Sequence, residues 1–166
     1  LLHRGVQTPE EARAFLDPAC YRPAAPSDLP DLLPTADRID EAIRSGEPIG
    51  LWGDFDADGL TSTALLLDAL RDLGARVDFY IPDRLQESHG IHLGPLQRMI
   101  SRGIRVLLTA DTGSTEHGPI AYARGQGVDV LVTDHHDLPE RLPPANALVN
   151  PKRLPPDHAL RELSGV

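Results

Sequence analysis

Pro48-Ile49-Gly50-Leu51-Trp52-Gly53-Asp54-Phe55-Asp56-Ala57-Asp58-Gly59 decides how this chain is read. A short apolar run breaks into a turn of acids and glycines. A helical stretch then runs from Thr61 to Leu73 and stops at Gly74. The same grammar recurs downstream. Val77 to Ile81 precedes a helical stretch over His92 to Arg102, closed by Gly103. Arg105 to Thr109 precedes one over Thr115 to Gln126, closed by Gly127. Val128 to Thr133 and Ala147 to Val149 are the last apolar runs. Glycine just past the last turn is a common helix stop. Strand and helix alternating in this way predict an α/β fold, a parallel-sheet βαβ domain with right-handed crossovers and helices on both faces.

Upstream of this domain the pattern changes. Residues 1 to about 16 read as helical, with Thr8 as cap, Pro9 at the first helical position and Glu10 and Glu11 in the first turn. Pro18, Pro23, Pro26, Pro30 and Pro34 then crowd the stretch from Asp17 to Pro34, which no helix or central strand should cross. A second helix is expected over Ala36 to Ser45, ending at Gly46. The expected division is a leader helix and Pro-rich connector over 1–34, then the catalytic domain over 35–166. The chain begins at Leu1 and stops at Leu163-Ser164-Gly165-Val166, so it reads as a fragment truncated at the C-terminal end of that domain.

Composition narrows the function. With 166 residues and 40% apolar content, the chain can bury a core without metal or disulfide staples. Cys20 is the single cysteine, which excludes an intrachain disulfide and makes the cytoplasm the expected compartment. No apolar run nears the roughly 20 residues of a membrane helix. Sixteen basic against twenty-five acidic residues give a net charge of −9, which argues against a simple basic nucleic-acid clamp. A site where cations mediate contact with phosphate stays open.

The chemistry sits where strands end. Asp54, Asp56 and Asp58 follow the first strand, Ala110-Asp111-Thr112-Gly113 the third, and Asp134-His135-His136-Asp137 the fourth. Ligands of open parallel sheets bind at the carboxyl ends of strands. Clustered carboxylates repel and take up protons unless a cation compensates. Carboxylate with imidazole suits manganese, or magnesium where oxygen dominates. More than four such groups can hold two ions, an arrangement suited to phosphoryl chemistry. Gly59 and Gly113 would let backbone approach a ligand, and a helix beginning near Thr61 and Ser62 would offer amides to phosphate. A calcium EF-hand fails, because its twelfth position is Leu65 and a strand precedes the loop. An aspartyl-phosphate phosphatase would leave Asp111, His135 and His136 unused.

The ordered set resembles the DHH phosphoesterase superfamily, named for the triplet found here as Asp134-His135-His136. Gly50 to Leu67, Tyr80-Ile81-Pro82-Asp83-Arg84, Ala110-Asp111-Thr112-Gly113, Leu142-Pro143-Pro144-Ala145 and Val149-Asn150-Pro151 follow the family in order. Arg4-Gly5-Val6 and Phe15-Leu16-Asp17-Pro18 resemble its RecJ-like branch, single-stranded-DNA exonucleases that work from the 5′ end. The resemblance implies Mn2+ or Mg2+ held by Asp56, Asp58, Asp111 and His135, two ions in the complete protein, with Asp111 bridging them. It implies that His136 meets the scissile phosphate or the leaving oxygen, and that Asp54 and Asp134 orient neighbours. Arg84, His89 and Gly113 would contact substrate; an ion pair of Arg84 with Asp83 or Glu87 is the competing reading.

Two departures stand out. Where the family shows Glu-Gly-Tyr-Gly, this chain has Glu87-Ser88-His89-Gly90. The family's further metal-binding Asp and second domain would lie past Val166, so the fragment alone is expected to be weak or inactive. Two divalent ions would move the formal charge from −9 to −5. The implied function is hydrolysis of single-stranded DNA to 5′-mononucleotides in recombination and repair, beside helicase and single-strand-binding protein. The alternatives are a DHH phosphodiesterase of short oligonucleotides or cyclic dinucleotides, and a non-catalytic DNA-binding or scaffold relative.

Overall fold

The computed structural model describes residues 1–21 and 24–165; Pro23 and Val166 fall outside them. Five strands, β1 (Ile49–Trp52), β2 (Val77–Tyr80), β3 (Val106–Thr109), β4 (Asp129–Thr133) and β5 (Ala147–Val149), form one sheet in the order β2-β1-β3-β4-β5. Every pair is parallel. The register sets Ile49 beside Val77 and Val106, and Trp52 beside Tyr80 and Thr109.

The helices are α1 (Pro9–Leu16), α2 (Leu32–Ser45), α3 (Ala57–Asp72), α4 (Leu93–Ser101) and α5 (His117–Gly125). Strand alternation splits the core in two. Trp52, Leu107, Val130 and Val132 face Leu96, Met99 and Ile120 of α4 and α5. Ile49, Leu51, Val106 and Leu108 face Ala42, Leu66 and Leu70 of α2 and α3. Helices thus cover both faces, as the pattern predicts. The chain leaves β1 toward β2, then crosses back over β1 to β3. This reversal puts a crevice between the carboxyl ends of β1 and β3. Gly46, Gly74, Gly103 and Gly127 all follow helices with positive φ.

Three helix starts differ from expectation by four residues or more. Helix α3 starts at Ala57 rather than Thr61, because the Asp56 carboxylate accepts the Gly59 amide and caps it. Thr61 and Ser62 therefore sit inside the helix, their hydroxyls donating to the carbonyls of Ala57 and Asp58. They do not open it toward phosphate. Helix α2 starts at Leu32 rather than Ala36, with Pro34 in its first turn. There a missing N–H removes no intrahelical bond. The leader helix begins only at Pro9, under a capping box between Thr8 and Glu11. Leu2–Arg4 is a separate 3-10 turn. The connector holds two more such turns, Pro18–Cys20 and Pro26–Asp28. Asp31, with φ 59, ties this region to the far edge of the sheet through the Leu148 amide at 3.1 Å and Arg153 at 2.6 Å. Among the described residues, no helix is long and apolar enough to cross a membrane.

Candidate metal centre

Loops at the ends of β1, β3 and β4 converge beside the crevice. In the β1 loop Asp54 is buried. Its Oδ1 accepts the Phe55 amide at 2.7 Å, and its Oδ2 lies 2.6 Å from His89 Nδ1. Asp56 caps α3, and Asp58 lies in the first turn, 3.4 Å from the Gly165 amide. Gly59 is required by packing. A Cβ there would lie 2.5 Å from the Asp54 carbonyl oxygen. Gly59→Ala is therefore expected to cost about 1–3 kcal/mol by forcing α3 off the β1 loop. Gly118→Ala, where a Cβ meets nothing within 4 Å, should leave stability unchanged or raised. Equal melting temperatures for the two variants would refute this account.

The β3 loop carries Asp111 in the left-handed region, φ 64, its amide donating to the Thr133 carbonyl at 3.0 Å. The residue is 1% exposed, and among the described residues neither carboxylate oxygen has a hydrogen-bond partner. His135 Nε2 approaches Oδ1 to 3.1 Å without forming a hydrogen bond. Burial pushes the Asp111 pKa up to about 7, with Asp56 adding to the rise and His136 opposing it. Gly113 has φ 115, and a Cβ there would press on Thr109 and Val132 at 3.1 Å. At Gly59 and Gly113 alike, protein atoms fill the space that a side chain would need.

The β4 loop is organised around Asp134. Its Oδ2 accepts the Ser114 amide at 2.9 Å. Its Oδ1 accepts the His135 amide at 2.8 Å and the His136 amide at 3.1 Å, and pairs with His136 Nδ1 at 2.7 Å. Burial alone would raise the Asp134 pKa, but these bonds hold it below the usual carboxylate range. Burial would lower that of His136, yet the Asp134 bond raises it overall.

Two groups of side chains could each hold a cation. Asp54, Asp56 and Asp111 bring ligand atoms within 4.8 Å of one another, and so do Asp111, His135 and His136. Asp111 belongs to both. Asp58 stands in neither group. The fit rests on Asp111: a buried carboxylate with two unpartnered oxygens beside other acids is a site that a cation would complete.

At the mouth, the Arg84 guanidinium lies 5.6 Å from the Phe55 ring centroid. Glu87 accepts the Tyr80 hydroxyl and the Asp83 amide, while Asp83 accepts the Leu85 amide. Among the described residues, Arg84 pairs with neither acid. The His89 ring stands 4.0 Å from that of Phe55. Sequence reasoning assigned no role to Phe55, Ser114 or Asn150. For Asn150 the signal was its place in the Val149-Asn150-Pro151 run; Phe55 and Ser114 had no local signal.

Residues 48–166 match the DHH family, N-terminal domain. The chain is 39% identical over all its 166 residues to the single-stranded-DNA-specific exonuclease RecJ of Bacillus subtilis, covering 21% of that protein. It therefore spans about a fifth of the length of this curated relative. The crystal structure of an exonuclease RecJ bound to manganese is similar with a TM-score of 0.77 and 38% identity, over 86% of this chain and 36% of that one. RecJ from Thermus thermophilus in complex with Mn2+ gives 0.69 and 34%, over 89% of this chain and 22% of that one.

Proposed function

The chain belongs to the DHH family, and from that premise we propose that it is the metal-holding part of a hydrolase that removes 5′-mononucleotides from single-stranded DNA in the 5′-to-3′ direction. The observation that carries the reading is the buried, unpartnered Asp111 shared by two convergent ligand groups. The substrate comes from the relatives, named single-stranded-DNA-specific exonucleases. Manganese or magnesium fits this donor set. Asp56, Asp58, Asp111 and His135 are the residues that would hold the ions, and Asp111 is the one shared by both ligand groups. When bound, the ions supply charge stabilisation to the attacking and leaving oxygens of an in-line displacement.

The chain's own residues do the rest. Asp134 fixes Nδ1 of His136, so Nε2 is the nitrogen left to meet the phosphate or the leaving oxygen. Asp54, bonded to the Phe55 amide and His89, stiffens the turn that carries Asp56. Arg84, free of carboxylate partners among the described residues and held on Phe55, binds substrate phosphate through its planar fork. His89 presents an exposed ring at the same mouth, and Gly113 offers its backbone. Residues 1–34 act as a leader to the catalytic domain. Work in the cytoplasm, in recombination and repair beside helicase and single-strand-binding protein, belongs to the same reading.

The test supplies the full gene product with manganese and a long single strand labelled at its 5′ end. Immediate release of labelled mononucleotide is the expected result. An untouched long strand with rapid cleavage of a dinucleotide would replace the reading with a short-oligonucleotide phosphodiesterase. Absence of any phosphoester hydrolysis would remove the enzyme altogether.

A further inference from the structure

Asn150 follows β5 directly, at the same end of the sheet as the acidic loops. It is 0% exposed. A buried amide persists only where its donors and acceptor are met. Here they are met across three loops. Nδ2 donates to the His136 carbonyl at 2.9 Å and to Ser114 Oγ at 3.0 Å, and Oδ1 accepts the Lys152 amide at 2.8 Å. Ser114, itself 1% exposed, passes the connection on, because its amide donates to Asp134 Oδ2. Asp134 in turn holds the His136 ring. One side chain therefore joins the ends of β3, β4 and β5 around the carboxylate that orients His136.

We propose that Asn150 is a positioning residue for the hydrolysis. It sets the His136 imidazole relative to the Asp111 cluster by gripping the main chain at His136 and the hydroxyl of Ser114. It touches neither substrate nor ion. An amide serving only to end β5 would need no acceptors outside its own turn. Both Nδ2 donors instead reach the β3 and β4 loops. The inference rests on the function proposed above and deepens it.

The two roles separate in a double-mutant comparison on the full gene product with manganese and the labelled strand. Asn150→Ala is expected to lower kcat about 10- to 100-fold while KM moves by less than about threefold. Once His136→Ala has removed the group being positioned, adding Asn150→Ala should cost less than about twofold further. Equal losses in the two backgrounds would overturn the inference and leave Asn150 as a stability residue. Should Asn150→Ala fail to fold, Ser114→Ala enters the same comparison. It removes the hydroxyl but keeps the amide bond to Asp134, and its loss of kcat should likewise vanish in the His136→Ala background. A parent protein with no hydrolysis overturns the proposed function and this inference with it, and the inactive parent tells that result from the additive one.

Discussion

Replacing Asp111 with alanine in the full gene product is expected to lower manganese-dependent hydrolysis of single-stranded DNA about a thousandfold or more, equivalent to roughly 4 kcal/mol of lost transition-state stabilisation. The size of the effect follows from position. Asp111 is the one residue common to both ligand groups, so its loss opens both together. Its backbone is left-handed, and its buried carboxylate has no hydrogen-bond donor among the described residues. Manganese titration of the same variant should lose tight binding. Asp40→Ala is the control, because Asp40 is exposed and pairs with Arg44 on α2, away from the strand ends. Tight manganese binding retained in Asp111→Ala would remove this residue from the centre of the site.

Asp58 sharpens the comparison. The family resemblance assigns it to the ligand set, but its carboxylate joins neither group of three. It receives the Gly165 amide at 3.4 Å, and a Cβ on Gly165 would lie 2.2 Å from Asp111 Oδ1. The segment through Gly165 thus lies directly against the two acids. Asp111 is the stronger test because, among the described residues, neither of its oxygens has a hydrogen-bond partner.

Much of this architecture was legible because it is local. The apolar runs gave β1 to β5 to within a residue at either end, most sharply for β1, β3 and β5, which are buried throughout and carry no charged residue. The acids fell at strand ends because an acid inside Ile49–Trp52 or Val106–Thr109 would be buried in core. Misread boundaries came from residues with two uses. Asp54-Phe55-Asp56-Ala57-Asp58-Gly59 is rich in turn formers, yet Asp56 is a helix cap. Pro34 breaks a helix interior but suits a first turn. What stayed out of reach was pairing at long range. Ser114 and Asn150 are 36 positions apart, and nothing local to either announces the bond. Asp54 and His89 are 35 apart, so the substitution that places histidine in the Glu87-Ser88-His89-Gly90 run gained its partner only in three dimensions.

Stability in a chelator should fall as pH rises from about 4 to about 7, the reverse of the usual carboxylate trend. Asp111 decides the sign. Its pKa is about 7 in the folded protein against an ordinary 3.8, so between those values the folded state holds a proton that the unfolded state has lost. Unfolding releases that proton, and the stability it confers drains away as pH climbs, with a ceiling of order 4 kcal/mol. His136 acts in the same direction, since its raised pKa gives stability that is present below its ordinary 6.5 and lost as pH passes the folded value. Asp134 opposes them only in acid, where its lowered pKa makes protonation destabilising. Asp111→Asn keeps the shape and removes the buried charge. In chelator at pH 8 it should melt higher than the parent, and the gap should close near pH 4. Manganese reverses the ranking. The parent gains about 2.7 kcal/mol at a hundred times the dissociation constant, while Asp111→Asn gains little. Parallel curves for the two proteins in chelator across this range would show that Asp111 is not the buried charge that a cation must neutralise.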